Sequence, residues 1–270
     1  MKQGYASNDR VSLTVEGDGI AHVRLTRAEQ RNALDEDMIA ALLDAGGALF
    51  DLPGLRCVVL SGAGEGFCAG LDMAMFEAML AGAGPNLVER SHGNANRFQQ
   101  LALQWRKLPV PVIAAVHGAC IGGGLQIAGG ADIRVVAPDA RLAVMEMRWG
   151  LVPDMGGFAL WRGLVREDVL RALTYTNREF SGEEALALGF ATELAADPLA
   201  RALDLATQIA ARSPTAIRAA KALFARAADA PLAEVLQDES YAQQRLLGSK
   251  NQIEAVRSQT ERRPPLFTDP

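Results

Sequence analysis

The chain has 270 residues, which at roughly 150 per domain allows one large domain or two modest ones. Hydrophobic residues make up 49% and charged residues 22%, a globular balance that excludes wholesale disorder. Lys plus Arg number 27 against 32 Asp plus Glu, a net charge of −5 with no Lys/Arg-rich run, so nucleic acid is not the expected partner.

Residues 1–10 lack the apolar core of a signal peptide. Cys57, Cys68 and Cys120 leave one thiol over in any pairing, and none shows metal-ligand spacing. A reduced, cytoplasmic chain is expected. In chain order, residues 11–25 read as two strands around the Gly17-Asp18-Gly19 turn. Met38, Leu42, Leu43 and Leu49 then recur at helical spacing until Pro53-Gly54 stops the helix. Arg56-Cys57-Val58-Val59-Leu60 predicts a strand, closed by a glycine-rich loop over 61–70. Residues 73–106 are interrupted by Ala and Gly without a firm pattern, and fit either surface padding or a pocket-lining segment. Residues 110–116 and 133–137 predict further strands.

Residues 110–131 carry no formal charge, but Pro111, His117, Gln126 and the glycines read as buried strand, tight loop and helix start, not as a bilayer helix. A soluble chain with no membrane partner is expected. Further on, Ser181-x-x-Glu184 is a capping box and Gly189 a C-cap. Pro198, Pro214 and Pro231 stand where a first helical residue would, and Ser249-x-x-Gln252 is a second capping box. The pattern predicts an α/β core with largely parallel strands over 1–196 and a helical C-terminal region over 197–270.

Two glycine-rich segments carry the chemistry. Phe67-Cys68-Ala69-Gly70-Leu71-Asp72 and Gly118-Ala119-Cys120-Ile121-Gly122-Gly123-Gly124-Leu125-Gln126 each lie between a strand and a helix. Such glycines let the backbone approach a ligand, and unpaired N–H groups at a helix start can form an oxyanion hole; tight helix–sheet packing is the alternative reading. A phosphate loop is excluded by the missing Lys-Ser/Thr, and the dinucleotide spacing is absent. His22, His92 and His117 are scattered, with no spacing suited to a metal, and His117 reads as a satisfied core residue. Glu146, inside Leu142-Ala143-Val144-Met145-Glu146-Met147, is the carboxylate most suited to proton transfer. Asp154 reads as an N-cap for the helix after Gly157 or as a second working carboxylate.

The ordered motifs Arg-Asn-Ala-Leu (31–34), Phe-Cys-Ala-Gly-Leu-Asp (67–72), Pro-Val-Ile-Ala-Ala-Val-His-Gly (111–118), Gly-Gly-Gly (122–124), Ala-Asp-Ile-Arg (131–134) and Glu-Met-Arg-Trp-Gly-Leu-Val-Pro (146–153) resemble the crotonase superfamily. These are the enoyl-CoA hydratases, isomerases and relatives. The resemblance runs from about residue 11 to 191, and the tail over 261–267 is also similar. It implies a crotonase-like spiral of ββα units whose helical C-terminal region builds homotrimers, often paired into homohexamers. It implies an acyl-CoA thioester substrate, with coenzyme A arriving as part of the substrate and neither a separate cofactor nor a metal. By position, the N–H groups of Leu71 and Gly123 would hold the thioester oxygen and the Ala69 carbonyl would meet the adenine. Residues 28–31, from Ala28 to Arg31, would border the CoA head, with Arg27 or Arg31 reaching a phosphate.

Family hydratases hold one water between two glutamates. Glu146 matches the second, but Gln126 stands in place of the first, and an amide cannot accept and return a proton at neutral pH. Family dienoyl-CoA isomerases resemble this chain in a Glu followed eight residues on by an Asp, as in Glu146 and Asp154, although they carry Asp at the Gln126 position. The expected activity is therefore of the enoyl-CoA hydratase/isomerase type, with double-bond isomerisation favoured. Hydration by Glu146 alone, or a non-catalytic acyl-CoA-binding module, are the alternatives. Acyl transfer through a covalent intermediate lacks a nucleophile–base pair.

Overall fold

The computed structural model describes the backbone of residues 3–5 and residues 9–270 in full. Strand β1 (Gln3–Tyr5) pairs with β2 (Val11–Val15), and β2 with β3 (Ile20–Leu25), in an antiparallel start that includes the expected hairpin at Gly17-Asp18-Gly19. Helix α1 (Glu36–Phe50) follows, capped by the Asp35 carboxylate on the Met38 N–H and burying Met38, Leu42 and Leu49 along one stripe.

Three strand pairs then repeat one pattern. They are β4 (Cys57–Gly62) with β5 (Gly66–Cys68), β6 (Val112–Val116) with β7 (Ala119–Ile121), and β8 (Ile133–Val136) with β9 (Arg141–Ala143). Each pair is followed by helix: α2 (Met73–Leu80) and α3 (Arg97–Lys107), then α4 (Gly123–Gly129), then α5 (Gly157–Trp161). After α6 (Glu167–Thr176) come β10 (Phe180–Ser181), α7 (Gly182–Leu188) and β11 (Glu193–Leu194). The first strand of each pair enters a seven-stranded sheet of order β1-β2-β3-β4-β6-β8-β11, the second a four-stranded sheet of order β10-β9-β7-β5. The chain thus winds as a spiral of ββα units. From β3 to β11 the large sheet is parallel, and in the small sheet Cys68 of β5 stands opposite Cys120 of β7.

The strands of the large sheet are buried on both faces, as their near-continuous apolar runs require. Val58, Leu60, Val112 and Ala114 face the main core with α1 and α3, while Cys57, Val59, Ile113, Ala115 and Val135 face the opposite way. That second face is covered by α8 (Pro198–Ala210), whose Ala202, Ala206 and Ala210 form a stripe of small side chains at four-residue spacing. Helices α9 (Pro214–Ala227), α10 (Leu232–Leu246) and α11 (Lys250–Glu261) complete the chain. The Lys221 ammonium of α9 is buried and donates to the carbonyls of Trp105 (3.0 Å) and Val110 (2.7 Å) and to Asp132 Oδ2 (2.8 Å).

Several expectations change in detail. The stretches read as glycine loops contain β5 and β7, too short and glycine-rich for alternation to register. Residues 73–106, read without a pattern, hold α2 and most of α3, and α3 opens on a reciprocal capping box between Asn96 and Gln99. Pro231 is the N-cap of α10 and not its first helical residue. Ser249 caps Gln252 N–H, but the Gln252 side chain accepts from Gly248 N–H, so that box is not reciprocal. His117 is partly exposed and bonds the Gly64 carbonyl at 2.9 Å, where a core position was expected. The three cysteines are free and buried. Among the described residues no helix is long and apolar enough to cross a membrane.

Candidate active site

Strand β5 leads through Ala69 and Gly70 into residues 70–72, which lie along Leu34. The Leu34 N–H donates to the Gly70 carbonyl (2.8 Å) and the Asp72 N–H to the Leu34 carbonyl (3.1 Å). This parallel pairing turns the Leu71 N–H away from Leu34, and it meets no acceptor among the described residues. The Gly123 N–H, at the first residue of α4, is likewise free. Gly70 has φ 89°, and a Cβ there would stand 2.8 Å from the Ile121 carbonyl oxygen and 3.6 Å from the Gly123 nitrogen. A Cβ on Gly124 would lie 2.3 Å from the Cys68 carbonyl oxygen, so only glycine lets α4 start this close to β5. Two such N–H groups bordering one cavity can stabilise an oxygen that gains negative charge.

Gln126, one turn into α4, is fully buried. Its Oε1 accepts from the N–H groups of Met155 and Gly157, both at 2.9 Å. Backbone N–H groups can only donate, so the oxygen must face them and the amide nitrogen must face Glu146; Nε2 donates to Glu146 Oε1 at 2.6 Å. No water fits between the two side chains. Glu146 lies in the 3-10 turn Glu146–Trp149 that follows β9, and its Oε2 is buried without a partner among the described residues. Burial pushes the Glu146 carboxyl above the ordinary glutamate range; the Gln126 hydrogen bond opposes this, and the charge of Asp154 adds to it. Burial also raises the Asp154 carboxyl. Asp154 does not cap α5, whose N-cap is Gly156 without a side-chain bond.

These groups share a cavity of about 770 Å³, bordered by Arg31, Ala69, Leu71, Gly123, Gln126, Glu146 and Asp154 among others. Arg27 and Ala28 do not border it. The Arg27 guanidinium pairs with Asp72 and, at 3.4 Å, with Asp35, and donates to the Ala33 carbonyl. The Ala74 N–H and that guanidinium hold the Asp72 carboxyl below its usual range. Arg31 is exposed and has no ion pair among the described residues.

The model of the enoyl-CoA hydratase/isomerase family matches residues 16–270. The mitochondrial Delta(3,5)-Delta(2,4)-dienoyl-CoA isomerase of Homo sapiens is 30% identical over 263 residues, covering 94% of this chain and 80% of that protein. The chain belongs to the enoyl-CoA hydratase/isomerase family. The enoyl-CoA hydratase EchA19 of Mycobacterium tuberculosis is 36% identical over 202 residues, 73% of each chain. An enoyl-CoA hydratase structure from Polaromonas sp. JS666 superposes with TM-score 0.86 at 29% identity, covering 96% of this chain and 100% of that one. The spiral fold and membership of this enzyme family therefore agree with the motifs.

Some features of this hydratase/isomerase-family cavity were not legible in sequence. The Asp72–Arg27 pair joins residues 45 apart, and no local pattern announces it. Phe76 of α2 and Trp149 stack with ring centroids 4.7 Å apart, and both border the cavity.

Proposed function

We propose that the chain catalyses double-bond migration in an unsaturated acyl-CoA, with Glu146 moving the proton. The observation that carries this reading is the commitment of Gln126. Both sides of its amide are engaged and it has no proton to exchange, so it acts by positioning Glu146 and the turn that carries Asp154. Of the half-buried carboxylates that border the cavity, Glu146 and Asp154 are both raised towards proton-transfer range, whereas Asp72 is held low by the Ala74 N–H and Arg27.

In this reading Glu146 takes a proton from an acyl carbon, and the C–H electron pair passes onto the thioester oxygen. The Leu71 and Gly123 N–H groups hold the resulting enolate; one such donor is worth roughly 3–4 kcal/mol of barrier. Collapse of the enolate places the proton on another carbon, delivered by Glu146 or by Asp154, and the double bond has moved with no net change in atoms. At the other end, the Ala69 carbonyl accepts from the adenine and residues 28–31, from Ala28, border the CoA head. Arg31 reaches a phosphate, because Arg27 is engaged by Asp35 and Asp72. Coenzyme A enters with the substrate, and no separate cofactor takes part. The same proposal includes a cytoplasmic homotrimer or homohexamer built through 197–270, a reading supported by the exposure of Phe224, Leu232 and Val256.

The test is incubation of 2-enoyl-, 3-enoyl- and dienoyl-CoA thioesters in heavy water, read by mass spectrometry and NMR. A moved double bond with deuterium on carbon is expected. In Asp154→Asn, a fall in rearranged product with exchange at the first carbon retained would assign the return of the proton to Asp154, and an unchanged yield would assign it to Glu146. A product heavier by one water and no rearrangement would replace this reading with hydration by Glu146. No product with tight thioester binding would point to a binding module.

A further inference from the structure

Helix α2 has seven apolar residues among eight, yet none of them is buried. A helix apolar on all sides is normally covered. Met73, Phe76 and Met79, three residues apart and so on one side, border the cavity, while Trp149, Leu151 and Val152 border it from the segment after Glu146 and are 46%, 42% and 55% exposed. The Phe76–Trp149 stack joins the two walls. The segment after α2 is pinned, since the Leu87 carbonyl accepts from Asn96 Nδ2 at 2.9 Å and from the Arg90 guanidinium at 2.5 Å. The charged rim residues here, Arg148 and Glu179, are exposed, and Glu179 is held by Arg141.

We infer that the substrate's acyl group is a long apolar chain laid along α2 between Met73 and Met79, against the Phe76–Trp149 pair. The inference rests on the acyl-CoA reading of the cavity above. Helix α2 begins two residues beyond Leu71, next in the chain to the free N–H groups where the thioester would sit, and its side of the lining is apolar, whereas Glu29, Gln30 and Arg31 are the polar lining that the proposed function gives to the CoA head. The six steps from Met73 to Met79 span about 9 Å at about 1.5 Å each, a length matched by roughly seven carbons joined by bonds of about 1.5 Å in zigzag. With the carbons at the reacting end, the chain has about ten. Methionines in this wall adapt to the chain's shape without polar cost.

The experiment is calorimetric binding of saturated acyl-CoA thioesters, from butanoyl to hexadecanoyl, to the whole chain. Affinity should tighten by up to about fourfold per added methylene, levelling off near about ten carbons. Phe76→Ala and Trp149→Ala should each weaken decanoyl-CoA about tenfold or more while leaving butanoyl-CoA unchanged, because the truncation removes roughly the burial of two methylenes from the long chain alone. Both side chains stand outside the core, and circular dichroism of each variant checks the fold; Phe76→Leu should recover much of the affinity. Affinity independent of chain length, or variants that weaken both ligands equally, would overturn the inference. Because these thioesters are saturated, length-dependent binding without double-bond migration on any enoyl-CoA would remove the proposed reaction and leave the inference standing. Failure of every thioester to bind would remove both.

Discussion

Gln126→Glu isolates the contact on which the proposed chemistry depends. A glutamate at 126 keeps an acceptor for the Met155 and Gly157 N–H groups, but it replaces the donor 2.6 Å from Glu146 Oε1 with a second carboxylate. A hydrogen bond to a charged group is worth about 1.5–3 kcal/mol, equivalent to about one to two pH units, and like-charge repulsion acts in the same direction. The Glu146 carboxyl, already raised by burial, rises further, and the two carboxylates hold one proton between them. Glu146 acts as a base when ionised, so kcat/KM rises with pH through its pKa. The acid limb of the kcat/KM–pH profile should therefore move up by at least about one unit in the variant. Stability provides an independent reading. The unfolded chain releases the proton first, near the ordinary value of about 4.3, so between there and the raised folded value the folded state holds more protons. The melting temperature of the variant relative to the parent should fall as pH rises through that window. An unmoved acid limb together with an unchanged pH dependence of melting would refute the Gln126–Glu146 contact. A new product heavier by one water would identify the absent second carboxylate as the barrier to hydration.

Three further outcomes are expected. Glu146→Gln should reduce turnover by about 10³-fold or more while acyl-CoA affinity, read by calorimetry, stays within about threefold; full activity would remove Glu146 from the reaction. Gly70→Ala places a methyl 2.8 Å from the Ile121 carbonyl oxygen at a backbone angle suited to glycine, and kcat/KM should fall about 10²-fold, the cost of disturbing one oxyanion donor. Wild-type rates in that variant would show that the Leu71 and Gly123 N–H groups do not act together. Lys221→Met leaves Asp132 and two carbonyls without their ammonium and should cost about 3–5 kcal/mol in urea unfolding. A loss under about 1 kcal/mol would mean that α9 is held to the core by other contacts.

Strands β2, β3, β4, β6 and β8 of the large sheet were legible as apolar runs near Gly and Pro, whereas β1 and the two-residue β11 were not; α1 showed its helical spacing, and α7 and α8 carried their caps in the open, at Ser181–Glu184 and Pro198. The small sheet was not, because its strands are two or three residues long and their pairing is between units distant in sequence. Helix α3 had a readable signal in Asn96-Arg97-Phe98-Gln99, the same capping box recognised at Ser181. Helix α2 gave none, since apolar residues on all sides leave no period to count. For the site, Glu146 stood out as a carboxylate in an apolar run. The two-sided engagement of Gln126 depends on the backbone of Met155 and Gly157, which local sequence does not reveal. The same turn decided Asp154, whose capping role fell away once Gly156 proved to open α5.

The register of the small sheet acts as a ruler. Cys68 and Cys120 are opposed across β5 and β7, and Leu71 and Gly123 each follow their cysteine by three residues. A slip of one residue in that pairing would carry one N–H past the other by about 3.3 Å, more than the length of the hydrogen bond either could make. Substitutions in these two short strands would thus act as active-site substitutions without touching any side chain of the site. In the proposed reaction, the small sheet is then the stretch where the chemistry depends on backbone alignment more than on residue identity.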